Sequence, residues 1–145
     1  MRELPRQLSV EELAELFEGR TRLVERLAET ENPLEQAEDV IASLDESEKI
    51  EALDAHPAIG ARRLSPRSSA EQGIEGDPAI LAELAYQNQV YEEKFGFRFV
   101  VFVAGRAKRE VLKVLSERIG NTREEELDSG LRELVAIARD RWTRT

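Results

Sequence analysis

The chain has 145 residues, 41% of them hydrophobic and 6% aromatic, enough for one domain to bury a core. Lys and Arg number 21 against 30 Asp and Glu, so the formal net charge is −9 and the surface repels nucleic acid and anionic membranes. Cysteine is absent, which excludes a disulfide framework, a thiolate metal site and a cysteine nucleophile.

No run approaches the roughly 20 apolar residues of a membrane span. Met1 to Gln7 is charged and lacks the apolar core of a signal peptide, and Arg144-Thr145 is not a peroxisomal address. The expected location is cytoplasmic.

The first helix is announced by Ser9 and Glu12, spaced as a capping box, with Leu13 and Leu16 on its apolar stripe and a stop near Gly19. A second, short helix is predicted from about Thr21 to Thr30, with Leu23, Val24 and Leu27 inward. Asn32 is placed to cap a third, with Pro33 at its first position and a stripe of Leu34, Ala37, Val40 and Ile41. Asp45 and Glu48 open a fourth, bearing Ile50 and Leu53, which Pro57 ends.

His56-Pro57-Ala58-Ile59-Gly60 follows. His56 is the only histidine, and imidazole is the one side chain here whose ordinary pKa, about 6.5, lies near neutrality. Pro57 biases His56 away from helical backbone, so the imidazole is expected where a helix stops and the chain bends. A solvated or helix-capping histidine is the alternative. Residues 60–76 carry no clear period beyond a helical turn around Ser68 to Gln72, and so long a polar connection in a small helical protein is more often functional than idle.

Asp77-Pro78 starts the longest predicted helix, reaching about Lys94, with Ile80, Leu84, Asn88, Tyr91 and Phe95 on one face. Asn88 is the polar exception on that stripe and, if buried, needs hydrogen-bond partners. Phe95 to Val103 is the one strand-like run, rich in aromatic and β-branched residues. It has no partner strand, so it is read as a buried extended segment threading between helices. Its polar main-chain groups are then satisfied by side chains or by a ligand. Ala107 to Ile119 reads as a helix, and Thr122 with Glu125 opens the last one, whose stripe is Leu127, Leu131, Leu134, Ala138 and Arg141. Arg141 ends an apolar face, so it either snorkels to water or reaches a site as a fixed cation.

The predicted fold is therefore all-α: one compact domain over residues 1–145, about seven or eight helices and one buried extended segment. With one histidine, no cysteine, no glycine-rich phosphate loop and no nucleophile elbow, the chemistry left open is cofactor-free acid–base work. The available groups are imidazole, carboxylate, amide, hydroxyl and guanidinium.

Several of these residues occur together in a known order: His56-Pro57-x-x-Gly60, Ser68-x-x-Glu71-Gln72, Asn88-x-x-Tyr91-x-x-Lys94-Phe95-Gly96-Phe97-x-Phe99 and Ile137-Ala138-x-x-Arg141. From residue 8 to 142 the chain resembles the 2-oxo-4-hydroxy-4-carboxy-5-ureidoimidazoline (OHCU) decarboxylase family of urate degradation. The resemblance implies a cofactor-free, all-α carboxy-lyase that forms (S)-allantoin and assembles as a homodimer. It implies His56 as the catalytic acid–base with Glu71 beside it, and Pro57 lining the pocket. Ser68, Glu71 and Gln72 would hydrogen-bond the ureide and ring. The main chain of Phe99, Val100, Val101, Phe102 and Val103 would bind the ring edge, and Arg141 would supply positive charge. Ala58 stands where the family often carries Asp or a basic residue. The other readings are a related lyase acting on a different ureide or heterocyclic acid, and a non-enzymatic helical interaction module with an exposed apolar patch.

Overall fold

Capping residues set the helix starts. In the computed structural model, which describes residues 3–58 and 77–144, Ser9 Oγ accepts from the Glu12 N–H at 3.1 Å while Glu12 accepts from the Ser9 N–H at 3.1 Å. This reciprocal pair opens α1 (Val10–Phe17), which buries Leu13, Leu16 and Phe17. Thr21 caps α2 (Arg22–Ala28) through the Val24 N–H, and Leu23, Val24 and Leu27 face inward.

The third helix differs from the sequence expectation. Asn32 is not an N-cap: its φ of 53° is left-handed, whereas a cap residue is extended. Its N–H donates to Arg6 O at 2.7 Å, and its carbonyl accepts from Glu35 and Gln36 in a turn. The helix, α3 (Ala37–Ala42), begins only after that turn. The apolar stripe survives the shift, because Leu34, Ala37, Val40 and Ile41 are all buried.

Asp45 and Glu48 form the second capping box and open α4 (Glu46–Asp54). Asp77 caps α5 (Pro78–Phe95), with Pro78 in the first turn and Gly96 at its end. Then come α6 (Lys108–Arg118), without a side-chain cap, and α7 (Arg123–Thr143), opened by the Thr122–Glu125 capping box.

The longest of these, α7, is the axis of the core. It buries Leu127, Leu131, Leu134, Val135, Ile137, Ala138 and Arg141 and packs against α1, α3 and α4. Gly130 allows the closest approach: a Cβ there would lie 3.1 Å from Leu53 Cδ2 on α4, tighter than ordinary contact. On the other side α5 packs on α6. Between the two groups runs the extended segment, with Phe97, Phe99, Val100, Val101 and Val103 buried and no strand among the described residues. Tyr91, Phe95, Phe97 and Phe99 form one aromatic cluster, with ring centroids 4.6 to 6.1 Å apart. The helices and the segment share a single hydrophobic core.

Candidate functional site

His56 lies one residue beyond the C-cap of α4. Its N–H donates to Leu53 O at 3.1 Å, and Pro57 follows, so the helix cannot continue. The last carbonyls of α4 are then met by a cation. Arg98, in the extended segment, donates from Nη1 to His56 O at 2.6 Å and to Asp54 O at 3.4 Å, and its own N–H donates to Asp54 Oδ1 at 2.9 Å. A guanidinium at a helix C-terminus also opposes the negative end of the helix dipole. Thus the segment is fastened to the backbone that carries the imidazole.

The ring itself is buried, 5% exposed, and its Nδ1 makes no hydrogen bond among the described residues. Burial pushes the His56 pKa down to about 4, and the Arg141 and Arg98 charges push the same way, against the opposing pull of Glu18. His56 is therefore neutral at pH 7. The solvated alternative left open by the sequence does not describe this ring, since it is buried.

Arg141, in the last turn of α7, is 1% exposed and does not reach water. Nη1 donates to Leu16 O at 3.0 Å and Nη2 pairs with Glu18 Oε1 at 3.0 Å. Both partners belong to the C-terminal end of α1, so Arg141 is a fixed cation. Its charge and that of Glu18 act on His56.

The extended segment takes its main-chain bonds from side chains. Arg118 Nη1 donates to Val100 O at 2.9 Å, and its guanidinium lies 4.6 Å from the Phe99 ring centroid. Glu133 accepts from the Phe102 N–H at 3.3 Å, and Arg106 donates to Phe102 O and Val103 O. Arg118 is in turn held by Glu126, which is fully buried and also accepts from Tyr91 Oη at 2.7 Å and Asn121 Nδ2 at 2.8 Å. Burial and the Glu126 carboxylate hold the Tyr91 phenol far above its usual pKa, so it serves only as a donor there.

Of the residues singled out in the sequence, the structure draws together His56, Arg141 and, through Arg98, the start of the Phe99–Val103 segment. Pro57 is part-buried beside His56. Gly60, Ser68, Glu71 and Gln72 lie outside the described residues. Glu18 and Arg98 were not foreseen. Arg98 left a signal, as the one charge inside an apolar run, whereas Glu18 reads as an ordinary surface residue before a helix stop. A separate cleft of about 410 Å³ between α3, α4 and α7, lined by Ile41, Lys49, Leu131 and Arg132 among others, contains none of these groups. Among the described residues no three carboxylate or imidazole groups converge as a metal site requires. None of their helices is long and apolar enough to cross a membrane.

A sequence model of the OHCU decarboxylase family matches residues 2–143. The 2-oxo-4-hydroxy-4-carboxy-5-ureidoimidazoline decarboxylase of Xenopus laevis is 32% identical over an alignment of 108 residues that covers 68% of this chain and 62% of that protein. The uric acid degradation bifunctional protein of Bacillus sp. (strain TB-90) is 29% identical over 105 residues, 69% of this chain but 21% of the longer protein. Among solved structures, an OHCU decarboxylase crystallised in the presence of (S)-allantoin superposes with a TM-score of 0.77 at 25% identity, covering 92% of this chain and 96% of the other.

Proposed function

The chain belongs to the OHCU decarboxylase family, and on that premise we propose that it decarboxylates 2-oxo-4-hydroxy-4-carboxy-5-ureidoimidazoline to (S)-allantoin in urate degradation, without a cofactor. The observation that carries the reading is His56: a buried imidazole, neutral at pH 7, with Nδ1 unbonded among the described residues and fixed cations nearby. A neutral imidazole can accept a proton, and a substrate carboxylate arriving beside it raises its basicity towards working pH.

The chemistry suits such a group. The carbon–carboxyl bond breaks, CO₂ leaves, and the bonding electron pair passes into the ring. The hydroxyl on the same carbon gives up its proton as it becomes the ring carbonyl. The neighbouring carbon, which bears the ureide, takes one up. With the substrate bound as its carboxylate, one further proton is drawn from solvent overall. His56 takes the hydroxyl proton and delivers a proton to one face of the neighbouring carbon, which sets the hand of the product. Arg141 supplies positive charge for the anion, and the approaching carboxylate favours the imidazolium as it forms. The main chain from Phe99 to Val103 holds the ring edge through groups other than the Val100, Phe102 and Val103 carbonyls and the Phe102 N–H, which side chains already take, and Pro57 borders it. Ser68, Glu71 and Gln72 complete the reading, Glu71 as the partner of His56 and the other two as donors to the ureide.

A homodimer belongs to the same reading. It is supported by the outer face of α5, where Leu81, Ala82, Ala85 and Tyr86 are exposed, Tyr86 by 61%.

The test is His56→Asn. Asn keeps hydrogen-bonding capacity but cannot exchange a proton near neutrality. A positioned acid–base contributes about 10²–10⁴-fold, so kcat is expected to fall by that factor with little change in product affinity or melting temperature. Allantoin formation is followed by circular dichroism, since the uncatalysed background is racemic and silent. Wild-type rate and handedness in the variant would remove His56 from the mechanism.

A further inference from the structure

We propose that Glu18 is a positioning residue of the His56 site, fixing the Arg141 guanidinium from the end of α1 and placing a negative charge beside the imidazole. This rests on the decarboxylase reading above. Three features of the chain place it there. Glu18 is the C-cap of α1 and adopts φ 67°, a left-handed backbone that residues with a Cβ seldom take and that Gly takes freely. A glutamate kept where glycine is the easy choice points to a task for its side chain. That side chain is only 12% exposed and reaches Arg141 Nη2 at 3.0 Å, while Leu16 O, two residues earlier, receives Nη1 at 3.0 Å. The end of α1 therefore offers the guanidinium a carbonyl and a carboxylate together.

The same turn touches the element that carries His56. Gly19 lies against Ala55, where an added Cβ would be 3.4 Å from the Ala55 Cβ. The Glu18–Gly19 turn thus ties three parts of the site: the end of α1, the last turn of α7 through Glu18, and the end of α4 through Gly19. Among the described residues, the charged groups acting on His56 are Arg141 from α7, Arg98 from the extended segment and Glu18 from α1. Of these three, Glu18 is the one that favours the protonated ring. In the reaction it therefore eases the moment when His56 carries the proton, and it keeps Arg141 aimed while the substrate anion enters.

His56 is the only histidine, so a single imidazole resonance in the intact protein reads the site without any turnover. In wild type that resonance moves towards the protonated form as the pH falls towards 4. In Glu18→Gln, which removes the charge and keeps the amide's bonding capacity, the resonance stays at the neutral position over the same range. In parallel, kcat/KM for allantoin formation falls at least tenfold. The acid limb of the kcat profile moves to lower pH. Glu18→Asp keeps the charge one methylene back and should fold as wild type, with an intermediate titration and rate. Imidazole titration in Glu18→Gln and Glu18→Asp identical to wild type, or moved to higher pH, overturns the proposal. So does an unchanged kcat/KM in an active enzyme. If wild type itself forms no allantoin, the decarboxylase reading fails while the titration still decides the placement of Glu18.

Discussion

His56 is a residue whose environment has a measurable cost. An imidazole that titrates near 6.5 in the unfolded chain is held neutral to about 4 in the folded one. Between those values the unfolded state binds the proton and the folded state does not, so stability is lost as pH falls from 6.5 towards 4. The full window corresponds to about 3 kcal/mol, and the part lost by pH 5 is about 2 kcal/mol. Carboxylates titrate in the same range, so the measurement is a difference: urea unfolding of wild type and His56→Asn at pH 7 and pH 5. Wild type should lose about 2 kcal/mol more than the variant over that interval. Equal losses would mean that the ring gains its proton without resistance. Arg141 makes a complementary point: a guanidinium at the end of an apolar stripe is here 1% exposed, which is tolerable because Leu16 O and the Glu18 carboxylate receive it.

At the scale of elements, the segment between α5 and α6 is the part of the fold that regular structure does not explain. It has the composition of a strand and no strand to pair with among the described residues, so Arg118 from α6, Glu133 from α7 and Arg106 at its own end do the pairing. The Glu126 carboxylate anchors this arrangement, since it holds Arg118, which holds Val100. Glu126→Ala leaves the Arg118 charge, the Tyr91 hydroxyl and Asn121 short of their acceptor in a buried place. The expected loss is about 3–5 kcal/mol in denaturant unfolding, as for other broken buried charge pairs. A loss under about 1 kcal/mol, the range of exposed pairs, would show that the network is ornamental to stability.

For the whole molecule, the open question is what α5 faces. Its inner stripe of Leu84, Asn88, Tyr91 and Phe95 is buried, while Leu81 and Tyr86 stand outward. If a second copy covers that face, Tyr86→Glu should convert a dimer to a monomer in light scattering, with the fold intact because the side chain is exposed in the single chain. A variant that stays dimeric would move the interface elsewhere. A wild type that is monomeric at micromolar concentration would end the homodimer reading.

The sequence by itself determined the elements. Capping boxes at Ser9, Asp45 and Thr122 are local, because donor and acceptor sit three residues apart, so the helix starts could be read without any tertiary knowledge. The stripes of α5 and α7 were legible for the same reason: a period of 3.6 needs only the chain. The motifs also carried the family, and with it the expectation that His56 and Arg141 are site residues. Asn32 misled because one residue type serves both as an N-cap and as a left-handed turn, and the choice was made by a bond to Arg6 across the fold. Only the tertiary structure decided that His56 is buried and neutral, that Arg141 is fixed rather than solvated, and that Glu18 and Arg98 belong beside them. Charges brought together from α1, the end of α4, the segment and α7 are separated by up to 123 positions in the chain (18 to 141), and no local rule of spacing links them. Burial and electrostatics depend on distance in space, which the order of residues alone does not state.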